Sequence, residues 1–268
     1  MIVGIDIGST TTKAVTIENG KLAMKIKTRA SDAITAATGA FGKMILENGI
    51  AMDAIEGIMI TGAGSSKIKS NIFGIPTKRV DEIRAIGTGG MFLSGLDNII
   101  ITNIGTGTVI IEASKNEIIH FGGSGVGGGT IYGLAKHLLP TSEINGITEL
   151  AETGNLDQVD LLLEDIVGTD MSFLRKETTA ANFGKMLDTA DSGDIALGII
   201  NMVYQVIGTL SVFAARAKNT DKVIITGNGS SNHLGQNVLS TITKLYGIKF
   251  VYPEFAEYTT AVGAGLLI

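Results

Sequence analysis

The sequence predicts an α/β protein made of two related lobes. Three observations carry this expectation. Short apolar runs of strand length, such as MIVGIDI, GIMIT, NIIITNI and KVIIT, alternate with longer helix-like stretches. Most of these runs end in a turn containing glycine. The succession strand, glycine turn, strand, hairpin also occurs twice, beginning near residues 2 and 99, as a duplicated unit would.

The elements follow in order. MIVGIDIG reads as a strand and TTKAVTIE as a second, and Asn19-Gly20 is a hairpin turn before KLAMKIKT. Ser31 is the expected cap of a helix that runs to Asn48-Gly49. Strands are expected over 56–62 and 76–80, and a helix from Asp81 to about Phe92. The strand at 97–105 opens the second unit, so the expected lobes are 1–98 and 99–268. TVIIEAS and EIIHFGG flank a turn at Lys115-Asn116, and the chain beyond them reads as mainly helical. Residues 192–217 form a long apolar helix of roughly 39 Å. A strand and glycine turn at 222–231, a helix over 233–245, a strand near 249–252 and a final helix from about 258 complete the reading. That last helix is free to pack back on the first lobe.

Composition narrows the function. The chain has 268 residues, 44% hydrophobic and 18% charged, enough for a large core and too apolar for disorder. Its 21 basic and 26 acidic side chains give a net charge of -5 without a dense basic patch, which disfavours nucleic-acid binding. No cysteine is present, so disulfides, thiolate catalysis and cysteine-ligated clusters are excluded. His120, His137 and His233 are too scattered to suggest a zinc site. Neither a secretory leader nor an apolar run of about 20 residues is read, so the expectation is a soluble cytoplasmic protein without a membrane segment. Glycine is the anomaly: 36 residues, about twice the usual share of roughly 7%.

Three glycine turns follow apolar strands: Asp6-Ile7-Gly8-Ser9-Thr10-Thr11-Thr12-Lys13, Asn103-Ile104-Gly105-Thr106-Gly107-Thr108 and Thr226-Gly227-Asn228-Gly229-Ser230-Ser231. Exposed amides and short hydroxyls in such turns suit phosphate oxygens. Asp6 is placed to hold Mg²⁺, directly or through water; ordinary hairpins with Asp6 capping amides are the bland reading. No Walker A sequence is present, and no Gly-x-Gly-x-x-Gly opens a convincing βαβ unit. GGSGVGGGTIYGLAKHLL passes from loop into helix, so its amides are expected to form an anion site, with tight interlobe packing as the alternative. Glu82 begins a helix already capped by Asp81, and Arg84 lies two residues on. A carboxylate there suits activation of an alcohol in phosphoryl transfer, although charge complementarity with a helix N-terminus explains it equally well.

GIDIGSTTTK, NIGTGT and ITGNGSS together resemble the nucleotide-binding turns of the actin, Hsp70 and sugar-kinase superfamily. VDEIRAIGTGG, TNIGTGTVI, GGSGVGGGTIYGL and TTAANFG, in this order and spacing, resemble the type II pantothenate kinases in their short bacterial form, from residue 2 to the end. The resemblance implies a two-lobed ATPase fold with duplicated ribonuclease-H-like domains. ATP and Mg²⁺ would lie in the cleft, and pantothenate would be phosphorylated at its primary hydroxyl as the first step towards coenzyme A. By position, Glu82 matches the catalytic carboxylate and Asp6 the acid near Mg²⁺. Gly8, Ser9, Thr10, Thr11, Thr12 and Lys13 match the first phosphate turn. Gly125, Gly127, Gly128, Gly129 and Thr130 match the glycine-rich nucleotide segment, and Gly227, Asn228, Gly229 and Ser230 the later nucleotide turn. Thr106 and Thr108 fall on the substrate side. The family is dimeric, and helix 192–217 is the expected interface, with a buried core helix as the alternative.

One position departs from the family. His120 stands where an arginine usually helps to hold pantothenate, and imidazole grips an anion less firmly than guanidinium. Arg84 is the candidate to compensate. Pantetheine, a sugar-like alcohol or a non-catalytic nucleotide-binding role remain the alternatives. GIDIGSTTTKAV also resembles the activators of 2-hydroxyacyl-CoA dehydratases, but those bridge an iron–sulfur cluster through cysteines, which this chain lacks.

Overall fold

The computed structural model describes residues 1–29, 32–172 and 174–268. Two five-stranded sheets of one topology form its frame. In the first, β1 (Ile2–Ile7), β2 (Thr12–Glu18) and β3 (Lys21–Thr28) make an antiparallel meander. After α1 (Ala33–Asn48), β4 (Gly57–Thr61) returns parallel to β1, and β5 (Thr77–Arg79) adds parallel to β4. Helix α2 (Glu82–Ser94) leads to the second meander, β6 (Ile99–Ile104), β7 (Thr108–Ala113) and β8 (Ile118–Ser124). Then come α3 (Gly128–Leu138), α4 (Ile144–Ala151), β9 (Leu161–Leu162), α5 (Leu163–Val167), β10 (Thr179–Ala181) and α6 (Ser192–Ala217). β11 (Lys222–Thr226) lies parallel to β6, and after α7 (His233–Tyr246), β12 (Lys249–Val251) lies parallel to β11. α8 (Thr259–Leu266) ends the chain. The orders β3-β2-β1-β4-β5 and β8-β7-β6-β11-β12 are the same arrangement twice, the duplicated ribonuclease-H-like topology that the resemblance implies.

Each sheet is covered on both faces, which is why its inner strands read as continuous apolar runs rather than alternating ones. Ala37, Ala40, Phe41 and Met44 of α1 pack on Val3, Ile5, Ile7, Ile58 and Ile60. On the equivalent face of the second sheet, Ile199, Ile200, Val203 and Ile207 of α6 meet Ile100, Ile104 and Ile110. The cap of α1 is Asp32, whose carboxylate accepts from Thr35 N at 2.7 Å; Ser31 lies outside the described residues.

The inner faces are covered by exchange. α2, from the first half of the sequence, packs Ile86 against Ile99, Ile101, Ile111 and Ile224 of the second sheet. α8, from the end of the chain, packs Ala261 and Val262 against Val15 and Ile17 of the first. The two helices cross backbone to backbone. A Cβ built on Gly89 would lie 2.0 Å from Thr259 O, and one on Gly263 would lie 1.7 Å from Ala85 O. Gly4 of β1 is equally tight, 2.1 Å from Ala261 O by the same construction. The glycine excess is therefore only partly a property of turns, and Gly4, Gly87, Gly89, Gly90, Gly263 and Gly265 serve close packing instead.

Two further expectations change. The stretch 139–191 is not mainly helical, because buried Asp160 organises it as irregular chain. Its carboxylate accepts from Asn201 Nδ2 at 2.8 Å, Phe183 N at 2.9 Å and Thr179 Oγ1 at 3.0 Å. These bonds pin TTAANFG to α6. α6 has the expected bounds and, by length and composition, could cross a membrane, yet most of it is buried within the fold. It is chiefly a core helix, with Met202, Val206, Leu210 and Phe213 left as a half-exposed stripe.

Gly89→Ala should destabilise the fold by about 3 kcal/mol, since neither backbone can yield without moving a sheet. Gly39→Ala, in the interior of α1 with nothing within 4 Å of the new Cβ, should instead add roughly 0.5–1 kcal/mol. Urea unfolding of the two variants checks the contrast.

Candidate active site

The site lies where the C-terminal ends of β1, β4, β6 and β11 meet. Two hairpin turns, Gly8–Thr11 and Gly105–Gly107, join β1 to β2 and β6 to β7. Ser9 Oγ and Thr106 Oγ1 stand 2.6 Å apart, so the turns touch tip to tip. The third turn, after β11, reaches the first through Asn228 Nδ2, which donates to Thr11 Oγ1 at 3.0 Å. The amides of Ser9, Thr10, Asn228 and Gly229 have no protein acceptor among the described residues. They are the donors that such a site offers to an anion. A cavity of about 150 Å³ at Asn98, Glu112 and Lys218 lies at the opposite end of β6.

A fourth turn belongs to the set. Gly62–Lys67 follows β4 as Gly227–Ser231 follows β11, and Gly62 and Gly227 share the left-handed φ values of 84° and 83°. Each glycine fits against the neighbouring hairpin: a Cβ on Gly62 would lie 2.5 Å from Asp6 Oδ1, and one on Gly227 would lie 2.5 Å from Ile104 O. The signal was present as ITGAGSS and ITGNGSS, a repeat that the sequence analysis did not use.

Asp6 ends β1, buried, with Lys13 directly opposite it on β2. Lys13 Nζ lies 3.7 Å from Asp6 Oδ2. Burial pushes the Asp6 pKa up and the Lys13 pKa down, and each partner's charge pulls back against that shift. Lys13 is thus the counter-ion of Asp6 and sits inside the strand pair rather than on the turn. Glu82 opens α2 behind the Asp81 cap, which accepts from Arg84 N at 2.9 Å. Its carboxylate reaches solvent, but the walls around it push its pKa up, and the charges of Asp6 and Asp81 add to the rise. Two carboxylates therefore face one region beside the glycine turns.

The Fumble family profile matches residues 97–267. A type II pantothenate kinase of Bacillus cereus is 31% identical over 223 residues, 79% of this chain and 81% of the relative. The chain belongs to the type II pantothenate kinase family. A Bacillus anthracis member is 35% identical, and there the match spans 63% of either chain; one from Staphylococcus haemolyticus is 29% identical across 98% of both. Among solved structures, the activator of 2-hydroxyisocaproyl-CoA dehydratase from Clostridium difficile superposes with a TM-score of 0.71 at 17% identity, covering 99% of this chain and 92% of that one. A ROK family glucokinase from Streptomyces griseus gives 0.60 at 15% identity, covering 99% and 98%. These two share the fold, the two-lobed actin, Hsp70 and sugar-kinase architecture.

The family positions in this chain are not all equally disposed for a ligand. The amides at the start of α3, expected to be free, are bound: Gly128 N donates to Gly105 O at 2.9 Å and Gly129 N to Thr106 O at 2.8 Å. A Cβ on Gly127 would strike Thr106 O, so the glycine run lets α3 close on the second hairpin turn. Thr130 Oγ1 accepts from Gly127 N and donates to Gly125 O. The Thr108 hydroxyl is committed to Val126 O at 2.8 Å, and that of buried Ser230 to Gly227 O at 2.7 Å. Thr12 is buried within β2. His120 and Arg84 are exposed, and neither side chain has a hydrogen-bond partner among the described residues. Tyr204 of α6 escaped the sequence reading; its hydroxyl donates to Gly229 O at 2.6 Å and props the third turn from beneath.

Tyr204→Phe should cost about 1 kcal/mol of stability and speed amide exchange at Ser230 and Asn232, whose N–H groups close that turn. Hydrogen exchange resolved at these residues checks it.

Proposed function

We propose that this chain transfers the γ-phosphoryl group of ATP to the primary hydroxyl of pantothenate, giving 4'-phosphopantothenate. The observation that carries this reading is the placement of Glu82 beside Asp6, at the edge where the glycine turns converge. Family membership and the nucleotide analogues bound by two structural neighbours support it. Residues 1–98 and 99–268 are the proposed lobes closing over the cleft, and the protein is proposed to act in the cytoplasm as a homodimer through the half-exposed stripe of α6.

In this mechanism Glu82 accepts the hydroxyl proton as the acceptor oxygen attacks phosphorus, and the amides of the glycine turns hold the phosphates in line. Asp6 fits a divalent-cation ligand: it is a buried carboxylate beside an orphaned hydroxyl, that of Thr61. Among the described residues no group of three acidic or histidine side chains converges, so Asp6 would share Mg²⁺ with phosphate oxygens and water. The ion, when bound, neutralises phosphate charge. Lys13 holds Asp6 in place, and Ser9 and Thr106 border the path between the turns. His120, at the position where the family resemblance expects an arginine, and Arg84, the candidate to compensate, are both exposed. His120 favours pantetheine as the second acceptor to test, because that molecule lacks the carboxylate an arginine would grip.

Glu82→Gln should lower kcat by about 100-fold or more while leaving ATP affinity within a factor of two or so, measured by single-turnover kinetics and nucleotide titration. Unchanged turnover would sink the assignment. Glu82 acts only when deprotonated, so its raised pKa places the acid limb of kcat/KM above the usual carboxylate range. Asp81→Asn keeps a capping side chain but removes one charge, and should move that limb to lower pH. Mass analysis of products from pantothenate, pantetheine and N-acetylglucosamine separates the acceptors. ATP binding with no product from any acceptor would favour a non-catalytic role.

A further inference from the structure

The duplicated halves allow one polar pair to be read against its twin. IMITGAGSS (58–66) and VIITGNGSS (223–231) occupy equivalent strands and turns. In the parallel registers Asp6 faces Thr61 and Asn103 faces Thr226, so Asp6 and Asn103 are counterparts, as are Thr61 and Thr226. The second half has the pair closed: Thr226 Oγ1 donates to Asn103 Oδ1 at 3.0 Å. In the first half it is open. Thr61 is fully buried and its hydroxyl has no partner among the described residues, while Asp6 Oδ2 is turned to Lys13. The residue opposite Asn103 is Val109, which makes no such claim on its neighbour.

Among the described residues the hydroxyls of Thr16, Thr28 and Thr61 are buried without a partner, and Thr61 is the one in register with Asp6; a buried polar group of this kind calls for a reason. Oδ1 of Asp6 already lies toward Gly62, the residue that follows Thr61. We infer that Thr61 is a positioning residue for Asp6: its hydroxyl is the donor that holds the carboxylate when it turns from Lys13 to the metal–nucleotide complex. The twin pair shows that this strand register permits the bond. The inference rests on the assignment of Asp6 to Mg²⁺ and is independent of which acceptor is phosphorylated. Groups behind a metal ligand commonly govern affinity by about 10–100-fold.

The test compares Thr61→Val and Thr61→Ser in the full chain, using a non-hydrolysable ATP analogue without acceptor. Thr61→Val should be at least as thermostable as the parent without ligands, because valine replaces a hydroxyl that bonds to nothing. It should bind the analogue normally in EDTA, yet need about tenfold more Mg²⁺ for half-maximal enhancement of binding. Thr61→Ser should return that Mg²⁺ dependence to the parental value. An unchanged Mg²⁺ dependence in Thr61→Val would overturn the proposal, as would a serine variant that behaves like valine, since the methyl group and not the hydroxyl would then be responsible. A parent protein that shows the Mg²⁺ linkage but phosphorylates no acceptor would defeat the pantothenate reading and leave the role of Thr61 standing.

Discussion

The contact on which the other features depend is the crossing of α2 over α8. At Gly89 and Gly263 the two backbones approach until no side chain can intervene. Helix axes normally lie 8–10 Å apart, the spacing being set by the side chains at the contact, and removing those side chains gives the lower end. The distance between the helices in turn fixes the distance between the sheets they cover. The strand ends, and hence the turns with their amides, are brought together by packing far behind them.

Duplication supplies the frame, and departures from it supply the chemistry. Both halves place a polar residue at the end of the first strand of the meander, Asp6 in one and Asn103 in the other. Only the first half sets a lysine opposite, where the second has valine. A charge that must be kept ionised out of water needs a counter-charge, whereas a neutral amide needs only a hydrogen bond. Glu82 is the second acid that the first half brings to the site, at the first position of α2. The two acids assigned to the chemistry thus both come from the first half, while both halves contribute amides and hydroxyls.

Most of the framework was legible in the sequence because it is local. Strand lengths, the hairpins at Asn19-Gly20 and Lys115-Asn116, the Asp81 cap and the bounds of α6 are all encoded within a few residues of one another. What was not legible depends on partners distant in the chain. The glycines of AIGTGG look like weak points of their own helix until Thr259 and Gly263 are seen against them. The α3 amides look free until the carbonyls of Gly105 and Thr106 arrive, and Lys13 looks like a phosphate ligand until β2 pairs with β1. In the 139–191 stretch no periodicity announces Asp160 as its centre, because a single buried carboxylate organises that chain through side-chain bonds. The repeat ITGAGSS and ITGNGSS was the exception, being visible all along to a comparison of the two halves.

The seat of α8 has a consequence for how the chain comes to be folded. The Gly4 groove on the inner face of β1 is closed by Ala261 and Gly265 of α8, which are far removed from it in sequence. During synthesis the first sheet leaves the ribosome with α1 on one face and the seat of α8 empty on the other. It stays unfinished until α8 emerges, which makes this a fold of long-range closure. The nascent first half therefore displays an apolar strand face shaped for α8. A chain truncated by as little as the final helix would carry that face permanently exposed.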